Sequence, residues 1–297
     1  MMSHHRPSTP SRFRGGSQWQ PGSVGIVALT VVLGVLSIGI VAQVLRETWT
    51  GQSSTETTAQ GSASALGPQP ETGLQPELDR DGRKLPPGGR YSEAGDKTFR
   101  VVGQPGLRVG EGKERTYKYV VEIENGVDTA STGGDDAFSA IVDATLSDPR
   151  GWIADPKYRF EHVTPDADPD LRIQLSSLAT THEACGNELE LETSCFTSDG
   201  NRVVVNHSRW VRGTSTYQGD LGAYRQYVIN HEVGHGIGFA QHEACRGTGQ
   251  LAPIMMQQTL SLGNAELHRI DPQEVYPDND AHCIANPWPY PFPENQR

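Results

Sequence analysis

Basic residues are scarce in this chain of 297 residues. Lysine and arginine together number 25, against 36 aspartate and glutamate residues, which gives a formal net charge of −11. A nucleic-acid-binding surface needs a basic patch that neutralises phosphates, so the composition argues against a nucleic-acid partner. Aromatic residues are also few, at 7%, whereas glycine and proline number 33 and 20. Part of the chain is therefore expected to be linker and not packed core.

Charge is absent altogether from residues 24–45, VGIVALTVVLGVLSIGIVAQVL. A helix of that length and hydrophobicity spans a bilayer. Residues 1–23 contain arginine but no acidic residue, so the positive-inside rule predicts a cytoplasmic basic tail. A cleaved signal peptide is the alternative, although its apolar region is normally shorter, about 7–15 residues. Both interpretations export the rest of the chain. The retained anchor predicts a single-pass protein of the cell membrane with an extracytoplasmic C-terminal domain.

Residues 46–95 lack any apolar period and are rich in serine, threonine, glycine, proline and glutamine. Such a segment buries too little apolar surface to offset the entropy of ordering its backbone, which predicts a flexible linker. Residues 96–297 contain strand-like stretches such as RTYKYVVEIENG and helical ones, of which GDLGAYRQYVINHEVGHGIGF is the longest. The predicted fold class is α+β, with a central helix that begins near Asp220 and an irregular C-terminal part.

The stretch HEVGHGIGFAQH, residues 231–242, lies at the end of this helix. His231 and His235 are one helical turn apart, so their imidazoles project from the same face and can bind one Zn²⁺. Glu232 is rotated about 100° from His231, which puts its carboxylate beside the metal. There it can take a proton from a metal-activated water and pass it to a leaving amine. The spacing predicts a catalytic zinc site, and the alternative is a pair of hydrogen-bonded histidines without metal.

Gly238 and a later histidine complete the motif. A glycine that adopts a positive φ ends a helix well, and the chain can then turn back under the metal. His242 is the predicted third ligand, because Gln241 offers only a neutral amide oxygen. One extra residue in a loop costs little closure entropy. The alternative for His242 is a solvent-exposed loop histidine.

The other histidines of the exported part lack metal-ligand spacing. We expect His207 to be a hydrogen-bonded residue of the strand in NRVVVNHSRW. Loop positions are expected for the rest, which are His162, His182, His268 and His282.

All four cysteines of the chain follow the apolar segment. An exported domain meets an oxidising environment in which disulfides persist. Four cysteines allow three pairings, and we favour Cys185–Cys195 across a short loop together with Cys245–Cys283. The second bridge would hold the loop that carries His242. In a competing interpretation, Cys245 is itself a zinc ligand.

The pattern HExxHxxG, the following histidine and the methionine-containing stretch LAPIMMQQTL resemble the metzincin clan of zinc peptidases. More specifically, the chain is similar to a family of membrane-anchored bacterial metzincin-like domains of unassigned function. The similarity is carried by DPRGW, VVVNHSRW, YRQYVINHEVGH, APIMMQQ and NPWPYP, and it extends from about residue 95 to the end. It implies a twisted sheet packed on a central active-site helix. It also implies a methionine beneath the metal, which is Met255 or, alternatively, Met256.

Two features depart from the clan pattern. The third histidine comes one residue later than in the clan. In addition, Gln257 and Gln258 stand where the clan often has a tyrosine, so we assign no tyrosine a role in the reaction.

These inferences predict a membrane-tethered zinc peptidase that hydrolyses a peptide or protein substrate. Zinc would be bound by His231, His235 and His242, with water as fourth ligand and Glu232 as general base. The alternative is a cell-surface binding domain that keeps the fold without turnover, and the displaced third histidine is its main support. A purely structural zinc site is a further alternative, although such sites usually have four protein ligands.

Overall fold

The computed structural model describes residues 82–186 and 193–292. The predicted cytoplasmic tail, the membrane anchor and most of the predicted linker lie outside these residues. Within them, none of the helices combines the length and the apolar character needed to cross a bilayer. All of the described residues belong to one compact unit, Thr72–Arg297.

Seven strands of the described residues form one mixed sheet. They are β1 Phe99–Val101, β2 Arg108–Gly110, β3 Arg115–Glu124, β4 Tyr158–His162, β5 Leu171–Ser176, β6 Cys195–Thr197 and β7 Arg202–Asn206. Their order is β2-β4-β3-β5-β7-β6, with β1 paired to the C-terminal part of β3. The strands β3, β4, β5 and β7 are parallel to one another. The strands β1, β2 and β6 run antiparallel to their neighbours, and β6 lies at an edge.

The central strand β3 is buried along its C-terminal half, where its sequence YVVEIE is mostly apolar. Glu122 interrupts the apolar run, but its carboxylate accepts hydrogen bonds from two side chains of β5. Arg172 donates at 2.5 Å and Gln174 at 2.8 Å. A buried charge is tolerated when it is paired and hydrogen-bonded in this way.

Five α-helices accompany the sheet in the described part of the chain. They are α1 Asp135–Ser147, α2 Leu178–Cys185, α3 His207–Arg212, α4 Leu221–Gly236 and α5 Asn264–Ile270. The long central helix predicted from the sequence is α4. It begins after Asp220, whose carboxylate accepts a hydrogen bond from the Ala223 N–H at 2.9 Å. Helix α4 contacts α1, β6 and β7. The fold class is α+β, as predicted.

Residues 82–95 pack on the domain, although the sequence analysis placed them in the linker. The buried guanidinium of Arg209 donates hydrogen bonds to the carbonyl oxygens of Gly82, Arg83 and Lys84. Arg209 is 125–127 positions away from these three residues in the sequence, so no local pattern in the linker predicts the contact. The folded region therefore includes residue 82.

His207 begins helix α3, and its prediction as a strand residue was wrong. Strand β7 ends at Asn206, whose side-chain oxygen caps α3 by accepting a hydrogen bond from the Ser208 N–H at 2.9 Å. His207 is buried, and its Nδ1 accepts a hydrogen bond from the Ser92 N–H at 3.0 Å. Burial lowers the pKa of His207 to about 4, so the ring is neutral at pH 7.

Loop positions were the wrong prediction for three further histidines. His162 lies in β4, His182 in α2 and His268 in α5. The side chain of His162 is buried, and its Nδ1 lies 3.0 Å from Asp143 Oδ1 of α1. His282 does lie outside the named helices and strands.

Candidate metal centre

Three histidines meet at the C-terminal end of α4. His231 and His235 lie on consecutive turns of the helix, and His242 follows in the loop after it. Their ring centroids are 4.9–5.4 Å apart. One nitrogen of each ring lies within 4.8 Å of those of the other two. The structure therefore brings the three predicted ligands to one place, His242 included.

Backbone carbonyl groups hold the two helical imidazoles. His231 Nδ1 lies 2.9 Å from the carbonyl oxygen of Ile254, and His235 Nδ1 lies 2.8 Å from that of Phe239. In each pair the imidazole N–H donates, which fixes the tautomer with the proton on Nδ1. Nε2 of both rings is then left as the atom that faces a metal.

A carboxylate holds the third imidazole, since His242 Nδ1 lies 3.3 Å from Glu274 Oε2. The Nε2 atom of His231 is buried and has no hydrogen-bond partner among the described residues. Such an atom is costly, and a metal ion between the imidazoles would give it a partner. Three nitrogen ligands fit zinc with an open fourth position, which is the arrangement of catalytic zinc sites.

The imidazoles of the helix are in the neutral form that binds a metal. Burial lowers the pKa of His231 well below its usual value, and the nearby rings of His242 and His235 lower it further. Burial also lowers the pKa of His235, with His242 adding to the effect. A metal therefore has few protons to displace from these two rings at pH 7.

The loop after α4 accommodates the extra residue before the third histidine. Gly238 has a φ of 115°, which favours glycine, and its N–H donates to the carbonyl oxygen of His235 at 3.1 Å. The chain turns there, as the motif predicts. Gln241 is exposed, whereas the side chain of His242 is 19% exposed and lies against the other two rings.

Met255 packs against this end of α4. Its sulfur lies so close to Gly234 that a Cβ atom at that glycine would be 2.6 Å away. The preceding carbonyl, of Ile254, is the one that holds His231. Met256 belongs instead to a separate apolar cluster in the C-terminal part of the domain. Of the two methionines, Met255 is therefore the one that packs against the helix of His231 and His235.

Replacing Gly234 with alanine is expected to lower the free energy of unfolding by about 1–3 kcal/mol, the usual cost of overpacking. The new methyl group would lie 2.6 Å from Met255 Sδ and 2.8 Å from Trp152 Cζ2, so both side chains must move. Chemical denaturation of the metal-free protein measures the change in the free energy of unfolding. Gly222→Ala is the matched control, because a Cβ atom there meets Asp220 Oδ1 at an ordinary 3.4 Å. Equal losses in the two variants would contradict the steric explanation.

Glu232 follows His231 in α4 and is 4% exposed. Burial raises the pKa of Glu232 to about 8, and a hydrogen bond from the backbone of Phe196 acts in the opposite direction. Phe196 belongs to the edge strand β6, so the sheet and the helix together place this carboxylate. A bound cation nearby would favour its ionised form.

Both disulfides have the predicted pairing. Cys185 is bonded to Cys195, and Cys245 is bonded to Cys283. The sulfur of Cys245 is therefore not available to a metal, and the alternative that made it a ligand is wrong for this structure. We call residues 245–283, the segment that the second bridge closes, the C-terminal lobe.

A family model described as "Protein of unknown function (DUF3152)" matches residues 85–291, which is well over half of the chain. The chain belongs to this family. No curated protein and no solved structure matches it. The part of this DUF3152 chain that the family model matches contains the three histidines, Glu232 and both disulfides. The candidate centre therefore lies wholly inside the region that defines the family.

Two side chains of the DUF3152 domain contact the centre without having been predicted from the sequence. Glu274 holds His242, and Tyr276 stacks beside it with 6.3 Å between ring centroids and 25° between ring planes. The Tyr276 hydroxyl accepts a hydrogen bond from the Gln257 N–H at 2.9 Å. Glu274 and Tyr276 lie in an irregular part of the chain, where no helical or strand spacing relates them to the motif.

Proposed function

We propose that this protein is a membrane-tethered, extracytoplasmic zinc peptidase that cleaves a peptide or protein substrate. The observation that carries the proposal is the meeting of His231, His235 and His242 around one point, with His231 Nε2 buried and without a partner. A nitrogen in that position favours an electrophilic partner such as a metal ion. Glu232 provides an acid–base group beside the same point.

The donor set favours a catalytic zinc site over a structural one. Structural zinc sites close the fourth position with another protein ligand. Within residues 82–186 and 193–292, the metal-ligand cluster contains the three histidines and no cysteine or carboxylate. In hydrolysis, Glu232 would act as general base on a water bound at the open fourth position of the zinc. A purely structural zinc site has no such water to activate and needs no general base.

When bound, zinc would acidify a water molecule and polarise the scissile carbonyl group. Glu232 accepts the proton that the attacking water loses and delivers it to the nitrogen of the leaving amine. The backbone of Phe196 holds the carboxylate in place from strand β6. His231 and His235 donate from Nδ1 to backbone carbonyl oxygens, and Nδ1 of His242 lies beside the Glu274 carboxylate. These contacts orient the three rings and leave their Nε2 atoms for the metal.

The proposal includes a metzincin-like arrangement of this centre. Its support is the packing of Met255 against Gly234, which lies about one turn after His231 in α4. The residue before Met255, Ile254, accepts the hydrogen bond from His231 Nδ1 through its carbonyl oxygen. An anchor at residues 24–45 would keep the domain at the outer face of the cell membrane, with the N-terminus in the cytoplasm.

Metal content of the purified full-length protein tests the proposal. We expect one zinc per chain, and cleavage of an unfolded protein substrate that a chelator stops. His242→Ala is expected to lose the zinc or to bind it far more weakly, because two imidazoles alone make a poor site. Gln241→Ala is the matched control in the same loop, and it is expected to keep the zinc because Gln241 is exposed and outside the cluster.

Three results would contradict parts of this proposal. A parent protein that binds no zinc would overturn it and favour a cell-surface binding domain. Zinc bound equally tightly by His242→Ala would remove His242 from the ligand set. Zinc binding without hydrolysis of a peptide library of mixed sequence would retain the metal centre and reject the peptidase.

A further inference from the structure

We infer that Glu274 is a positioning residue that orients His242 and thereby sets the metal affinity of the centre. The inference rests on the metal site of the proposed function. It deepens that proposal by assigning the placement of the third ligand to the C-terminal lobe and not to the HExxH helix.

The three imidazoles differ in what holds Nδ1. For His231 and His235 the partner is a backbone carbonyl oxygen, which the main chain fixes in place. For His242 the partner is the carboxylate of Glu274, at 3.3 Å. A carboxylate fixes the proton on Nδ1 and raises the basicity of Nε2, the atom left for the metal. Loss of this carboxylate therefore affects both the orientation and the donor strength of the third ligand.

Glu274 is itself held by the C-terminal lobe. Its N–H donates to the carbonyl oxygen of Asp271 at 3.3 Å, and the Asp271 N–H donates to that of Leu267 in α5 at 3.0 Å. Two residues beyond Glu274, the carbonyl oxygen of Tyr276 lies 3.0 Å from Nδ1 of His268, also in α5. This short segment is therefore tied to α5 at both ends, which makes Glu274 a fixed partner.

Burial and pairing favour a specific role for this contact. The side chains of His242 and Glu274 are 19% and 36% exposed. Among the described residues, Glu274 forms an ion pair with His242 and with no other residue. Tyr276 stacks on His242 and limits the movement of the ring. A partly buried carboxylate next to a ligand also helps to offset the charge of a bound cation.

The test is the zinc affinity of the full-length protein, measured by competition with a chromophoric chelator. Glu274→Gln keeps the shape of the side chain, removes its charge and is expected to weaken zinc binding about 10- to 100-fold. Glu243→Gln is the matched control, because that carboxylate is paired with Arg246 at 3.1 Å and not with a ligand, so near-parental affinity is expected. Both variants are expected to keep the melting temperature of the metal-free parent.

The same substitution in the His242→Ala chain separates positioning from a general structural role. Because Glu274 acts through His242, its replacement is expected to have no further effect on zinc binding there. Equal affinities of Glu274→Gln and Glu243→Gln, or a weakening that persists without His242, would overturn this inference alone. A drop in metal-free stability that accounts for the lost affinity would also overturn it. A parent that binds no zinc would overturn the proposed function and this inference together.

Discussion

Replacing Glu232 with glutamine is expected to lower the rate of peptide hydrolysis by roughly 100- to 10,000-fold, the usual contribution of a general acid–base group. Glutamine has nearly the same shape, so packing at this 4% exposed position is kept. It does not accept a proton from the attacking water, and the leaving amine therefore departs without a proton donor. Zinc content is expected to stay at the parental level, since Glu232 lies outside the ligand cluster.

The measurement pairs steady-state hydrolysis with zinc content on the same preparations. Glu232→Asp keeps the carboxylate and moves it back by one methylene group, so we expect its rate to lie between those of the parent and of Glu232→Gln. Glu243→Gln, a neighbouring carboxylate that pairs with Arg246, is expected to retain the parental rate. Full hydrolysis by zinc-loaded Glu232→Gln would show that another group accepts the proton.

Local spacing was enough to predict the helical half of the centre. The i, i+4 separation of His231 and His235 determines their common face, and Asp220 marks where α4 begins. Gly238 marks where the helix gives way to a turn. These are properties of a few neighbouring residues, so the sequence contains them directly.

The remainder of the centre depends on contacts between distant parts of the chain. Glu274 and Tyr276 reach His242 only because the lobe folds back over the end of α4. Residues 82–84 are held by Arg209 from across the sequence, although their own composition predicts a linker. His207 was assigned to a strand because it closely follows the β-branched run of residues 203–205, whereas the cap at Asn206 starts a helix there.

Removal of the Cys245–Cys283 bridge by a double substitution with serine is expected to weaken both the domain and the metal site. The two cysteines are 38 positions apart, and closing a loop of that length stabilises the folded chain by about 4 kcal/mol in the chain-entropy model. Chemical denaturation of the metal-free protein measures that loss. Metal-free samples are needed because bound zinc adds its own stabilisation to the folded state.

The effect on the metal follows from where the bridge lies. Cys245 comes three residues after His242, and its N–H donates to the Asn264 side chain at 2.9 Å. The lobe that the bridge closes contains Met255, which contacts α4, and Glu274, which contacts His242, the proposed third ligand. We therefore expect zinc affinity to fall at least as far as it does in Glu274→Gln.

The Cys185–Cys195 bridge provides the matched control. Its loop spans 10 positions, worth about 3 kcal/mol in the same model, and it joins α2 to β6. Its removal is expected to lower stability by a similar amount while zinc affinity stays near the parental value. Strand β6 also carries Phe196, which holds Glu232, so hydrolysis by this variant is expected to slow although the metal is retained. Equal losses of zinc affinity in the two double variants would mean that general destabilisation, and not the C-terminal lobe, controls the position of His242.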